Sequence, residues 1–300
     1  MYKAVKLRDI HVNKDLFKVL KSGLEIDKII SEENGLFPST KTLVYGTPAA
    51  GKTSLMLEYL VALHKKGYKV LFISAEMGKT GITKYAKRID GLSEIDILFT
   101  EDYDDQNMFE CVQNVLNQSY HLVLIDSWNV LLNKVTILGY YEHELYGVIH
   151  HNTESKNIQK IPTSFLIIQQ VTKSGVMSGK NYLKHMVDNV MQLSLDQNKN
   201  RLASFVKNRD GKVNVPLYFK FNDTNSISYS LTPFNKIIDP QKNKQDLALI
   251  RLAKQKAKIK GNADHIEFEE LGMDKDEAWH LAKHLNDTIY LKPDKNGYRS

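Results

Sequence analysis

TLVYGTPAAGKTSLMLEYL, residues 42–60, decides the fold. An apolar run, TLVY, leads into a glycine-bounded loop. A run with helical spacing of apolar residues follows it. The loop matches G-x-x-x-x-G-K-[ST], the pattern that cradles phosphates between a strand and a helix. Gly46, Thr47, Pro48, Ala49, Ala50, Gly51, Lys52, Thr53 and Ser54 form the expected nucleotide-binding stretch. Gly46 and Gly51 let successive backbone N–H groups point inward at phosphate oxygens, helped by the positive end of the helix behind them. Lys52 is placed to reach the β- and γ-phosphates, and Thr53 to give a hydroxyl to Mg²⁺. ATP and Mg²⁺ are therefore the expected cofactors.

Outward from this loop the chain alternates. KVLFISAE (69–76), IDILFT (95–100), HLVLIDS (121–127) and SFLIIQQV (164–171) are short apolar runs separated by helical segments. Runs of this kind predict an α/β fold with a mostly parallel sheet covered by helices on both faces. From about residue 202, RLASFVKNRDGKVNVPLYFKFN and SISYSLTP predict antiparallel strands, with Asp210–Gly211 as a hairpin turn. The polar PQKNKQ (240–245) reads as a linker, giving domains 1–239 and 240–300.

The composition is that of an ordinary globular protein, 42% hydrophobic and 25% charged over 300 residues. No stretch approaches a membrane span, and the N-terminal residues lack the apolar core of a signal peptide. The single cysteine, Cys111, excludes an internal disulfide or a multi-cysteine zinc site and fits a reducing cytoplasm. The histidines of EHELYGVIHH (142–151) miss the zincin spacing, because Gly147 stands where the second histidine would be, and read as a polar helix. The balance of 41 basic to 35 acidic residues leans mildly toward acidic partners.

Two carboxylates complete the expected site. Asp126 ends the strand LVLI, where an acid emerges beside the phosphates and holds magnesium. Glu76 ends the strand that follows the loop's helix, where a carboxylate polarises water as general base. A glutamate there, rather than beside Asp126, is a mark of RecA-like ATPases.

With those residues in view, residues 20–230 resemble the RecA/DnaB/RadA branch, most of all bacterial RadA/Sms. GLEIDKII (23–30) sits at the lead-in of that family, FISAE and LVLIDS at its two acidic strands, and Gln170 at its sensor position. LKHMVD (183–188) and KNRDG (207–211) resemble its LEHMVD and KNRFG motifs. The resemblance implies that Lys207 and Arg209 reach the γ-phosphate bound by a neighbouring subunit. As strand residues two apart, they are expected to project to one face. A guanidinium supplied in trans stabilises transition-state charge and couples hydrolysis to the interface. A homo-oligomeric ring, a hexamer, is implied.

Three departures qualify the likeness. A chain with only Cys111 lacks the family's four-cysteine zinc module. Nothing resembles its Lon-like domain, and Asp210 replaces the phenylalanine of KNRFG. A compact version of such a protein is expected.

TKSGVMSGK (172–180) follows the sensor strand, where RecA-like rings present loops to a central channel. Lys173, Lys180 and Lys184 are expected to neutralise the phosphates of single-stranded DNA. The last sixty residues predict a small winged helix-turn-helix domain with a turn at LGMDKD (271–276) and a wing in 288–300. Lys275 and Lys283 are its candidate DNA contacts, and protein docking is the alternative. The expectation is an ATP-driven DNA motor or helicase of replication or recombination, working with proteins of those processes and no membrane. Two alternatives stand beside it. One is a KaiC-like regulatory or assembly ATPase without translocation, and the other is a DNA-binding initiator with an ATPase switch.

Overall fold

The computed structural model describes residues 4, 6–9, 14–103, 108–153, 161–170, 182–222, 226–234, 249–256, 263–273, 275, 278–279 and 281–283. The chain divides into two compact units, Met1–Asn235 and Lys236–Ser300.

In the first unit the strands are β1 (Lys41–Gly46), β2 (Val70–Ser74), β3 (Asp96–Phe99), β4 (Leu122–Asp126), β5 (Ser164–Gln170), β6 (Asn189–Leu195), β7 (Arg201–Lys207), β8 (Leu217–Phe221) and β9 (Ile227–Ser230). Among the described residues they form one sheet in the order β3-β2-β4-β5-β1-β6-β7-β8-β9. From β3 across to β6 every pairing is parallel, and from β6 to β9 every pairing is antiparallel.

The strand runs are apolar throughout because both faces are covered. On one face Val44, Phe72, Leu124 and Ile168 join Ile29 and Ile30 of helix α1 (Asp27–Ile30) in the core that includes helix α2 (Lys52–Lys65). Their chain neighbours Leu43, Ile73, Ile125 and Ile167 face the opposite core, which takes in Trp128, Leu131, Leu145 and Ile149. Those last four belong to α4 (Trp128–Ile137) and α5 (Glu142–Thr153). The period-two alternation of the strand thus fills two cores at once. The expected α/β sheet with C-terminal antiparallel strands is the observed one.

Three expectations change. NVMQLSL, unread as a strand, is β6, the second neighbour of the central β1. Asp210–Gly211 is not a two-residue hairpin turn. β7 and β8 pair Arg201 with Phe219 and Ala203 with Leu217, so the connection runs through 208–216, with Asp210 and Gly211 inside it. Arg209 also lies beyond the end of β7, so strand alternation does not place it beside Lys207.

The second unit is helical at 249–256 and has a helix at His265–Glu270, whose first turn is capped by Asp264 accepting from the Ile266 N–H. Ala253, Phe268, Ala278 and Ala282 form its small core. The wing expected in 288–300 lies outside the described residues.

Gly46 closes β1 where the backbone of β6 passes. A Cβ there would overlap the Leu193 carbonyl. Overpacking against a backbone atom that cannot rotate away costs about 1–3 kcal/mol or more. Gly46→Ala is expected to lower the urea midpoint of unfolding accordingly, with an unchanged m-value.

Candidate functional site

The carboxyl ends of β1, β2, β4 and β5 converge on the phosphate loop. Gly46 ends β1, and Thr47, Pro48 and Ala49 are exposed. Ala49 and Gly51 adopt φ of 61° and 96°. Those left-handed residues turn the chain so that its N–H groups face a common point. Helix α2 starts at Lys52 with no side-chain cap on Gly51, which leaves its first N–H groups directed at that point. Lys52 Nζ donates to the carbonyls of Gly46 (2.9 Å) and Thr47 (3.1 Å), so it arches over the loop. Burial lowers its pKa, against the opposing pull of Asp126 and Glu76. Ser54 follows on the next residue of the helix and reaches a neighbouring cleft.

Two acids meet at the edge between β2 and β4. The Asp126 carbonyl accepts from the N–H groups of Ala75 (2.8 Å) and Glu76 (3.2 Å), which fixes Glu76 next to the end of β4. Asp126 is 4% exposed, and its Oδ2 accepts from Thr53 Oγ1 at 2.6 Å. A hydroxyl and a carboxylate at this spacing are the hard oxygen ligands that magnesium takes. The residues present therefore fit the metal. Glu76 is exposed, and its Oε2 accepts from Gln170 Nε2 at 2.8 Å. Gln170, at the end of β5, thus touches the acid that could activate water.

The turn after Glu76 is braced from β3's exit. The Glu101 carboxylate accepts from the Lys79 N–H at 2.8 Å, and Gly78 packs against it with no room for a Cβ. That contact steadies helix α3 (Lys79–Ala86). Sequence reading missed it because Glu101 is distant in the chain.

A second unread feature is a cleft of about 200 Å³ lined by Ser54, Glu58, Tyr85, Arg88, Phe221 and Asn222. It begins one residue past Thr53. The Arg88 guanidinium lies 4.5 Å over the Tyr85 ring, and the Phe221 ring stands on the far strand β8. Burial raises the pKa of the Glu58 carboxyl in this cleft, with Lys65 opposing. Residues from α2, α3 and the turn after it, β8 and β9 supply the walls, so no local motif announces the cleft.

Lys207 and Arg209 do not join this site. β6 runs parallel to β1, pairing Gly46 with Leu193 at the loop end and Thr42 with Asn189 at the other. The antiparallel β7 brings Lys207 opposite Val190. The pair therefore sits at the amino-terminal edge of the parallel strands, four residues or about 13 Å along β1 from the phosphate loop. Lys207 Nζ donates to the Val187 carbonyl, and Arg209 Nη1 donates to Asp188 Oδ1 at 3.0 Å. Burial lowers the Lys207 pKa, and the Arg209 charge adds to this.

Of the expected DNA contacts, Lys173 and Lys180 lie outside the described residues. Lys184 is partly exposed on helix α6 (Tyr182–Met186). In the C-terminal unit Lys275 and Lys283 are exposed, and Lys283 Nζ lies 5.2 Å over the Trp279 ring.

Burial of Asp126 raises its pKa from 3.8 to about 6, with the Glu76 charge adding and Thr53 and Lys52 opposing. The fold thus favours the neutral carboxyl. Its contribution to stability is fullest below pH about 4 and is lost as pH rises through about 6. Removing the charge should therefore help the ligand-free protein at neutral pH. Asp126→Asn is expected to raise its unfolding free energy at pH 7.5 by roughly 2–3 kcal/mol and to flatten the slope of stability between pH 4 and 6. Urea unfolding across that range checks both.

Comparison with known proteins agrees with this geometry. The family described as "ATPase: KaiC" matches residues 20–215. DNA repair protein RadA of Campylobacter jejuni is 30% identical over 210 residues, covering 68% of this chain and 44% of the relative. RadA of Aquifex aeolicus is 28% identical over 191 residues, 63% of this chain and 41% of the relative. The chain thus spans less than half the length of these curated relatives. Among solved structures, the KaiC-like protein PH0186 of Pyrococcus horikoshii superposes with a TM-score of 0.53 at 15% identity, covering 71% of this chain and 99% of that one. The flagellar accessory protein FlaH of Methanocaldococcus jannaschii gives 0.55 at 12%, covering 72% and all of that chain. These two share the fold. A phosphate loop at the centre of a RecA-like sheet, inside a family match that covers most of the chain, leads to one conclusion: this protein belongs to the KaiC-type ATPase family and is a relative of RadA.

Proposed function

We propose that this protein is an ATP-driven motor that acts as a ring on single-stranded DNA, with hydrolysis at the interfaces between subunits. The observation that carries the ring is the position of Arg209. It stands at the sheet edge opposite its own phosphate loop, so its guanidinium serves a nucleotide only on a neighbouring copy. In this reading a base fills the cleft between Tyr85 and Phe221, and the loop N–H groups and Lys52 hold the phosphates. Thr53 and Asp126 hold the magnesium, which when bound neutralises charge on the β- and γ-phosphates. Glu76 accepts the proton of the attacking water, and Lys207 and Arg209 of the next subunit meet the charge that develops.

The DNA reading rests on Gln170. Its amide is bonded to Glu76, and the chain after it runs directly into the lysine-containing stretch 172–184. DNA held there is connected to the acid that activates water through the chain to Gln170 and its hydrogen bond to Glu76. The RadA relatives are described as DNA repair proteins, which agrees with a role in recombination or replication. In the C-terminal unit, exposed Lys275 and Lys283 are further candidate contacts for DNA or a loading partner.

The family match itself favours a second reading, a regulatory or assembly ATPase whose nucleotide state controls a partner without translocation. ATPase rates with and without a single-stranded oligonucleotide separate the two. The motor predicts a rise of several-fold with single strands and little with duplex. Arg209→Ala then loses the rate by roughly 10³-fold or more, the scale of other trans arginines. A rate indifferent to DNA transfers the conclusion to the regulatory ATPase. Glu76→Gln is expected to lower kcat by about 10²-fold or more while ATP binding, followed by a fluorescent analogue, stays within a few-fold.

A further inference from the structure

Residues 187–189 run from the end of helix α6 into the first residue of strand β6, and together they hold the last residue of β7 and the first part of the connection after it. The Val187 carbonyl accepts from Lys207 Nζ. Asp188 Oδ1 accepts from Arg209 Nη1 at 3.0 Å. Asn189 Oδ1 accepts from the Arg209 N–H at 2.8 Å, while its Nδ2 donates to Asp210 Oδ2 at 3.2 Å. Both the backbone and the side chain of Arg209 are therefore gripped by this one short stretch.

The grip has a rigid side and an open side. Asp188 is fastened to the start of β1. Its N–H donates to the Lys41 carbonyl at 2.9 Å, its Oδ2 accepts from the Lys41 N–H at 3.0 Å, and Lys41 Nζ lies 3.3 Å from the same oxygen. The side chains of Lys41 and Asp188 are 10% and 20% exposed, whereas that of Arg209 is 65% exposed. One edge of the guanidinium rests on a carboxylate that cannot swing away. A guanidinium has five N–H donors, and among the described residues Asp188 is the one side chain that Arg209's fork engages. The remaining donors are left toward solvent.

We propose that Asp188 is the positioning residue for Arg209. It orients the guanidinium outward before a neighbour's nucleotide triphosphate arrives, so that little side-chain freedom remains to be lost in the transition state. The contact is charge-assisted and geometrically directional. It also joins the finger to the start of β1, the strand that leads into the phosphate loop. The inference rests on the reading of Arg209 as a finger in trans.

A double-mutant cycle on the full chain, at saturating single-stranded oligonucleotide, tests it. Asp188→Asn is expected to lower kcat about 10-fold with KM for ATP unchanged, and to have no further effect on kcat in an Arg209→Ala background. Asp188→Glu should restore part of the lost rate. Because Asp188→Asn leaves the Lys41 ammonium beside a neutral amide, Lys41→Met/Asp188→Asn is run in parallel, and it should show the same kcat loss with stability recovered. An undiminished kcat in both Asp188→Asn variants, or an equal loss in the presence and absence of Arg209, overturns the proposal while leaving the finger intact. If Arg209→Ala itself keeps the wild-type kcat, the finger reading fails, and the role of Asp188 falls with it.

Discussion

One carbonyl oxygen carries two amide hydrogens, and the site depends on it. The backbone oxygen of Asp126 accepts from both Ala75 and Glu76, and this shared acceptor draws the end of β2 against the end of β4. The general-base candidate and the metal-ligand candidate, fifty positions apart in the chain, thereby become neighbours. The side chain of the same aspartate reaches sideways to Thr53 and ties the pair to the first turn of α2. Backbone geometry sets the distances here. Side-chain chemistry then works within a frame it does not have to build, which is the condition for preorganised electrostatics.

The burial that makes this frame rigid also works against the charge it holds. Asp126 is nearly shielded from water, and its carboxyl is pushed up to about 6 for that reason. Lys52 is pushed the other way by the same burial. Two groups of opposite charge are thus each drawn toward neutrality, and each is pulled back by the other. A divalent cation with a polyphosphate restores the charge that the fold suppresses, so ligand binding and the electrostatics of the empty fold are complementary. This is the usual relation between a strained functional site and the structure that holds it.

How much of this the sequence disclosed follows from where the information is local. The phosphate loop, α2 and the two acidic strand ends are contiguous patterns, and the parallel strands betray themselves by being apolar on both faces, as in VLFIS and LVLID. β6 escaped because NVMQLSL places Asn189, Gln192 and Ser194 among its apolar residues, and only its pairing with β1 reveals it. Arg209 was expected beside Lys207 through strand alternation. Both do reach the 187–188 stretch, but Arg209 gets there after the strand has ended, through a backbone bond to Asn189. The cleft beside Ser54 draws Tyr85 from helix α3, Arg88 from the turn after it and Phe221 from a distant strand, and no spacing rule connects them. Asp188 was legible only as a letter in a family motif. Its two cationic neighbours come from residues 41 and 209, and the fold alone brings them together.

The seat of Gly46 under the Leu193 carbonyl has a consequence for how the chain is made. β1 is among the first strands to leave the ribosome, yet both of its neighbours, β5 and β6, come late in the chain. Until residue 193 has emerged, the central strand lacks its β6 partner. At synthesis rates of about 5–20 residues per second that interval lasts many seconds. Pairings of such long sequence separation are also slow to form. The seat of the phosphate loop thus depends on a close approach between two residues 147 positions apart in the chain, 193 − 46, so its final shape is a property of the closed sheet and not of the local motif.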